Sequence, residues 1–144
     1  MKTFATIFSI AIIIALVSCK QQVNKVVEQR YPDGSPHLER HYKGEGTKKE
    51  LVKEVLYWPN SKKKIEGSYK DSLRDGKWMA WFENGNKWSE GNYIKGVEDG
   101  VKNVWYESGQ LYYTGNLKQG KEVGVWKFYD EKGKLSQEIN YDKK

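Results

Sequence analysis

A 24-residue repeat constrains this chain more than any other feature of its sequence. Three glycines, Gly85, Gly109 and Gly133, follow one another at that spacing. Ser61 lies 24 residues before Gly85 and takes the same place, and Gly34 lies a further 27 residues back, so the first unit carries three extra residues. A chain with such a period is built from stacked supersecondary units, each of which needs its neighbours to bury a continuous core.

Each unit has the pattern of a β-hairpin. Dipeptides of the types Asp-Gly, Asn-Gly and Ser-Gly mark its turn and supply positive φ at little steric cost. The flanking stretches are rich in Trp, Tyr, Phe, Val and Ile, which favour strands, and no long stretch keeps a helical period without an interrupting glycine. The sequence therefore predicts an all-β fold of about five hairpins, with the outer two degraded. The predicted turn glycines are Gly34, Gly85, Gly109 and Gly133.

Adjacent aromatic pairs occupy the same place in three units. They are Tyr57-Trp58, Trp81-Phe82 and Trp105-Tyr106. Neighbours in a strand point to opposite faces, so each pair places one ring on each side of the sheet. One member of each pair forms a candidate interaction stripe, which consists of Tyr57, Trp81 and Trp105. The alternative is that both rings serve only to pack a thin sheet.

Another place in the repeat predicts a row across the units. Tyr69, Tyr93, Leu117 and Tyr141 recur there, and cross-strand side-chain pairs of this kind stabilise sheets.

The strand that precedes this row carries a recognisable motif. The motif is Glu-Gly-x-Tyr, and it occurs as Glu66-Gly67-Ser68-Tyr69 and Glu90-Gly91-Asn92-Tyr93, with Thr114 in place of the glutamate in the next unit. Two turn positions, four residues apart, follow the tyrosine. This pattern resembles the MORN repeat and more closely its bacterial variant. The resemblance covers roughly residues 31–141. It implies an elongated, single-layer antiparallel sheet of stacked hairpins. The function that we predict for this chain is that of a non-enzymatic binding or scaffold module. Some bacterial proteins with this variant are assigned as antitoxins.

The first eighteen residues differ from the rest. Lys2 precedes a nearly continuous apolar run over residues 4–17, which is shorter than the ~20 residues of a membrane span and is typical of a secretory signal. Leu16-Val17-Ser18-Cys19 resembles the bacterial lipobox, which implies cleavage between Ser18 and Cys19 and lipidation of Cys19, the only cysteine. An ordinary signal peptide and an uncleaved anchor are the alternatives.

The resulting prediction is a lipoprotein with three parts. Residues 1–18 form the signal peptide, 19–26 a lipidated tether and 27–144 the repeat domain. The predicted location is the cell envelope, in the outer membrane facing the periplasm, because Lys20 is not an acidic inner-membrane retention signal. The formal net charge is +6, and basic and acidic residues are interspersed along the chain. This pattern indicates solubility more than a specific anionic partner. No nucleic-acid recognition motif is present, and no nucleic-acid partner is expected.

Few residues are candidates for chemistry. His37, Glu39 and His41 alternate, so they could share one strand face, but no cysteine or third histidine completes a closed metal site. Asp75 and Asp99 lie beside turn glycines, where aspartate is common for its hydrogen bonding.

No nucleophile elbow or phosphate-binding loop accompanies them. We therefore predict no catalytic residue, metal or cofactor. The predicted partners are the membrane, through the lipid, and a protein, glycan or toxin. An antitoxin or immunity protein is the first alternative function, and a hydrolase with a site across repeats is the second.

Overall fold

The computed structural model describes residues 22–143. These residues form a single eleven-stranded antiparallel sheet, in which consecutive strands are neighbours, and β7 is a short segment that pairs only with β6. The strands are β1 (Val23–Arg30), β2 (Pro36–Lys43), β3 (Glu50–Tyr57), β4 (Lys63–Lys70), β5 (Leu73–Trp81), β6 (Lys87–Ile94), β7 (Val97–Glu98), β8 (Gly100–Trp105), β9 (Leu111–Lys118), β10 (Lys121–Tyr129) and β11 (Leu135–Asn140). The predicted all-β sheet of stacked hairpins is confirmed.

Five-residue turns close the hairpins at one edge of the sheet. In the turn of residues 82–86, the N–H of Gly85 donates to the Phe82 carbonyl at 2.9 Å and the N–H of Phe82 donates to the Asn86 carbonyl at 2.9 Å. The same two bonds recur in the four other turns of this edge. The fourth residue of each turn has positive φ, between 62° at Ser61 and 96° at Gly85. That backbone conformation explains why glycine recurs there. The fourth positions are Gly34, Ser61, Gly85, Gly109 and Gly133.

Two-residue turns connect the hairpins at the opposite edge. Lys95-Gly96 and Gln119-Gly120 each have positive φ at both positions, which is the backbone of the hairpin turns that match strand twist. The connection from β2 to β3 is longer and contains a 3-10 helix, Gly46–Lys48. It accommodates the three extra residues of the first unit. Among the residues described, no helix is long and apolar enough to cross a membrane.

The register between strands defines two faces. Trp78 pairs with Gly67 on one side and with Gly91 on the other, so these three residues lie on the same side of the sheet, which we call face A. Most buried apolar side chains lie on it, because single-layer sheets must cover one surface with their own side chains. They are Leu38, Trp78, Ala80, Val104 and Trp126. The opposite side, face B, holds Tyr57, Trp81 and Trp105.

The sheet begins earlier than the sequence predicts. Val23 already pairs with Lys43, whereas we expected a tether up to residue 26. β1 escaped prediction because, as an edge strand, it exposes most of its side chains, and its sequence therefore lacks a clear apolar alternation.

Candidate functional site

The three residues of the candidate stripe lie in one row on face B. Tyr57 pairs with Lys63, and Trp81 pairs with Lys87 in the next hairpin. The row thus alternates aromatic and basic side chains across adjacent strands, and Trp105 continues it. We call these five residues the aromatic–lysine row.

The lysines of the row contact the rings that follow them. The Lys63 Nζ lies 5.9 Å from the centroid of the Trp81 ring, and the Lys87 Nζ lies 4.8 Å from that of Trp105. Cation–π contacts at these distances hold both partners in place. All three aromatic rings are half-buried, so each has a packed side and an open side.

A carboxylate anchors each lysine of the row. The Glu66 carboxylate accepts a bond from Lys63 at 2.5 Å and forms an ion pair with Lys53. In the next hairpin Glu90 lies 3.0 Å from both Lys77 and Lys87. Each cluster therefore holds two ammonium groups against one carboxylate, and face B carries an excess of positive charge along the row.

The Glu90 carboxylate is strongly held in its ionised form. Burial opposes ionisation, but hydrogen bonds from Lys87, Lys77 and Asn103 outweigh it and lower the pKa of Glu90 to about 2. In the preceding cluster, hydrogen bonds from Lys53 and Lys63 likewise outweigh burial and lower the pKa of Glu66. Lys63 and Lys87 therefore pair with ionised carboxylates at neutral pH.

The indole N–H groups divide the tryptophans into two sets. Trp58, Trp78 and Trp126 each donate to a backbone carbonyl, at 3.0 to 3.1 Å. Within residues 22–143 the other three indoles, those of Trp81, Trp88 and Trp105, donate to no protein acceptor, and no buried side-chain nitrogen or oxygen lacks a partner. Their N–H groups are therefore open to solvent or to a ligand.

The second ring of two aromatic pairs, and Tyr31 at the equivalent place, have a structural role at the turn edge. The Tyr106 hydroxyl donates to the Tyr129 carbonyl at 2.9 Å, and the Tyr31 hydroxyl donates to the Tyr57 carbonyl at 2.8 Å. The Trp58 indole makes the equivalent bond to the Trp81 carbonyl. These bonds link three of the hairpins to the next one, and Phe82 lacks the polar group to make the equivalent bond to Trp105.

Sequence reasoning missed two exposed aromatics on face A. Trp88 and Tyr112 are 49% and 40% exposed, and they lie against Phe82 and Tyr106 respectively. Both occupy a β-bulge just after the turn, where two residues oppose one and alternation fails. Their spacing of 24 residues was the available signal.

The predicted row of Tyr69, Tyr93, Leu117 and Tyr141 lies on face A, but its tyrosines are not in direct succession. Trp78 lies between Tyr69 and Tyr93, with ring centroids 5.3 Å and 6.1 Å away. Tyr141 contacts Trp126 at 6.0 Å. The tryptophans therefore connect neighbouring units, whereas the sequence predicted direct contacts within the row itself.

The three residues considered for a metal do not share a face. The His41 Nε2 lies 2.8 Å from the Glu39 carboxylate, which also pairs with Lys25 at 2.9 Å. His37 lies in a bulge and contacts the Tyr31 ring instead, so the expectation of one face for all three was wrong. Among residues 22–143 no group of three or more His, Cys, Asp or Glu is arranged to hold a metal ion.

The aspartates beside the turn glycines accept bonds between repeats. Asp75 accepts the N–H of Lys95, and Asp99 accepts that of Gln119, both at 3.1 Å. The Gln119 N–H is the main cause of the lowered pKa of Asp99. Their partners lie one hairpin away, and this role differs from the local hydrogen bonding that the sequence suggests. Ser18 and Cys19 lie outside the described residues.

Comparison with known proteins agrees with the repeat register. The model of the MORN repeat variant matches three consecutive stretches, residues 74–95, 98–119 and 122–143. No curated protein and no solved structure matches the chain. Each matched stretch covers one hairpin, from the strand that carries Trp78 or its equivalent to the end of the following strand. Three consecutive stretches within residues 74–143 are therefore similar to the MORN repeat variant.

Proposed function

We propose that this chain is a membrane-anchored lipoprotein whose repeat domain is a non-enzymatic binding module, and that its partner docks on the aromatic–lysine row. The observation that carries the docking proposal is the alternation of Tyr57, Lys63, Trp81, Lys87 and Trp105 in one register of face B. MORN repeats suggest a repeat-based binding function, and a regular row is the feature that stacked repeats offer to a partner.

The chemistry of the row favours one kind of partner. Half-buried indoles with open N–H groups supply apolar area and hydrogen-bond donors, as the aromatic anchors of protein interfaces do. The excess ammonium groups favour an acidic surface. Because Glu66 and Glu90 already fix the lysines, little side-chain freedom is lost on binding. A protein with an acidic face and apolar side chains fits these properties best.

The anchor is supported by the sequence and by the start of the sheet. Cys19 precedes Val23 by four residues, a span of at most about 14 Å when extended. Val23 pairs with Lys43, so β1 begins at the edge of the two-residue turns. An acylated Cys19 would therefore hold that edge near the bilayer and leave the five-residue turns pointing away. We propose the outer membrane, facing the periplasm, as its location.

The test of the anchor is mass spectrometry of the N-terminal peptide from the native membrane. The expected peptide begins at Cys19 and carries acyl chains. A peptide that retains residues before Cys19, or an unmodified cysteine, would exclude the lipoprotein.

The test of the docking row is capture from native membranes with matched variants. Tyr57→Ala/Trp81→Ala/Trp105→Ala removes the rings of the row, and Tyr112→Ala/Phe128→Ala removes comparable aromatic surface from face A. Circular dichroism and melting first establish that both variants fold. We expect one protein to be retained by the wild type and the face A variant and lost with the row variant.

A milder variant separates charge from packing. Lys63→Gln/Lys87→Gln keeps the rings and most of the side-chain length, and we expect weaker capture with a smaller dependence on salt. Equal capture by the wild type and both face B variants would remove the row from consideration. The identity of the captured protein would also separate a scaffold from an antitoxin.

A further inference from the structure

Gly67, Gly91 and Gly115 share one place in the repeat on face A, and in two of the three cases the ring of the tryptophan eleven residues later covers the glycine. The Trp78 ring covers Gly67 so closely that a Cβ there would lie 2.0 Å from it, and Trp126 covers Gly115 in the same way, at 2.1 Å. Residue 102 lies 24 residues after Trp78 and 24 before Trp126. It is Lys102, which pairs with Gly115 on face A as Trp78 pairs with Gly91. The repeat thus has lysine at residue 102 where its neighbours have tryptophan.

The missing ring leaves Gly91 with a different cover. A Cβ on Gly91 would meet the ends of Glu98 and Lys102, with the Lys102 Cδ at 3.3 Å. A cavity of about 160 Å³ lies at this place, and Trp78, Trp88 and Gly91 are among its lining residues. The cavity is open to solvent on one side, and its volume is about what one aromatic ring needs.

The walls of the cavity suit a planar ring. Tyr93 lines it and is the equivalent of Tyr69, which meets Trp78 edge to face at 5.3 Å. Tyr93 has no such ring from its own repeat, since Lys102 takes that place. Trp88, half-exposed at the bulge, adds a second aromatic surface. Edge-to-face and offset contacts are the preferred geometries between such rings.

The charge of the cavity favours an anion. The Arg74 guanidinium lies 4.0 Å from the centroid of the Trp78 ring and 5.5 Å from that of Tyr93. Among the described part of the chain it forms no ion pair. Lys102 is paired with Glu98. Two cationic groups of the cavity, those of Arg74 and Lys102, are therefore balanced by one carboxylate, that of Glu98. Guanidinium groups bind carboxylates with two parallel hydrogen bonds.

We propose that the cavity over Gly91 binds a planar aromatic ring that carries a carboxylate. The ring packs against Trp78, Trp88 and Tyr93 beside Lys102, and the carboxylate contacts Arg74. A small aromatic acid and the C-terminal aromatic residue of a peptide share this chemistry. The site lies on face A, so it is separate from the aromatic–lysine row and does not depend on the function proposed for that row.

The first experiment titrates the purified protein with matched probes and follows the amide resonance of Gly91. N-acetyltryptophan and N-acetyltryptophanamide differ only in the carboxylate, and we expect the acid to bind at least tenfold more tightly. Indole-3-acetate and the peptide Gly-Gly-Trp then identify the source, because the tighter of the two distinguishes a small acid from a chain terminus. Equal affinity for the acid and the amide, or no binding of any probe, would overturn the proposal.

The second experiment restores the repeat pattern. In Lys102→Trp the new ring should cover Gly91 as Trp78 covers Gly67, so we expect binding to be lost and the melting temperature to rise. Undiminished binding in this variant would contradict the proposed position of the ring.

Arg74→Gln tests the charge independently of any repacking. Its affinity for the acid should fall to that of the wild type for the amide. An unchanged affinity for the acid would exclude Arg74 as the group that holds the carboxylate.

Discussion

Alanine in place of the face A glycines should be costly only where a tryptophan covers the backbone. Gly67, Gly91 and Gly115 occupy the same place in three hairpins, and none has positive φ. A Cβ at any of them is therefore compatible with the backbone, and the outcome depends on what it meets. We expect Gly67→Ala and Gly115→Ala to be strongly destabilising and Gly91→Ala to be nearly neutral.

The magnitude follows from the contacts of Trp78. A Cβ on Gly67 would lie 2.0 to 2.6 Å from three atoms of the Trp78 ring, whereas carbon atoms in contact lie about 3.5–4.0 Å apart. The ring cannot slide away without breaking the bond from its Nε1 to the Ser68 carbonyl, at 3.1 Å. Overpacking costs about 1–3 kcal/mol and the lost hydrogen bond about 1 kcal/mol. The expected loss in the free energy of unfolding is about 2–4 kcal/mol.

The matched position lacks this clash. At Gly91 the nearest atoms are the Glu98 Oε1 at 2.9 Å and the Lys102 Cδ at 3.3 Å, both in flexible side chains that can move. Alanine also lowers the entropy of the unfolded chain, which stabilises the fold by about 0.4–1 kcal/mol. Gly91→Ala should therefore change the free energy of unfolding by less than about 1 kcal/mol, in either direction.

Urea denaturation of the three variants beside the wild type is the assay. Trp78→Ala in the Gly67→Ala background provides the check on mechanism, because without the ring the added methyl group has nothing to displace. If Gly67→Ala and Gly115→Ala cost no more than Gly91→Ala, or if removing Trp78 leaves the cost of Gly67→Ala unchanged, the ring contact is not what requires glycine.

Three further changes test other parts of the fold. Phe82→Tyr should gain the hydrogen bond to the carbonyl of Trp105 that the neighbouring repeats already make and raise the free energy of unfolding by about 1 kcal/mol; a lower melting temperature would contradict the shared geometry. The pKa of Glu90 is lowered from 4.5 to about 2, so its stabilising effect is complete above pH 4.5 and is lost as the pH falls towards 2. Glu90→Gln should thus lose less melting temperature than the wild type over that range, and equal losses would refute the assignment. Gly85→Val should cost ~1 kcal/mol or more in thermal denaturation, because a β-branched residue resists positive φ, whereas Ser61→Gly at the equivalent position should cost nothing.

The sequence predicts the sheet well because every repeat encodes it again. Glycine at Gly85 and its equivalents marks the turns, and their spacing sets the strands without any long-range information. Alternation then assigns Trp78 and Trp81 to opposite faces, since the period of a strand is two residues. These inferences depend only on local backbone geometry, which is the same in each hairpin.

The parts that escape prediction depend on bulges and on neighbouring strands. A bulge after each five-residue turn shifts His37 away from Glu39 and exposes Trp88, and alternation alone cannot locate such an insertion. The lysines of the aromatic–lysine row lie in the strand after each aromatic residue, so the row is visible only once strands are paired. The cavity over Gly91 required the register that aligns Lys102 with Trp78 and Trp126.

The affinity of the captured partner for defined variants tests the central claim most directly. Calorimetry would compare the wild type, Tyr57→Ala/Trp81→Ala/Trp105→Ala and Tyr112→Ala/Phe128→Ala, all shown to be folded. If the aromatic–lysine row is the docking surface, the first variant should lose about 2 kcal/mol or more of binding free energy, roughly 30-fold in Kd, as expected for central aromatic anchors. The face A variant should bind within a few-fold of the wild type. Equal affinities for all three proteins, or a loss confined to the face A variant, would show that the row is packing and not a binding surface.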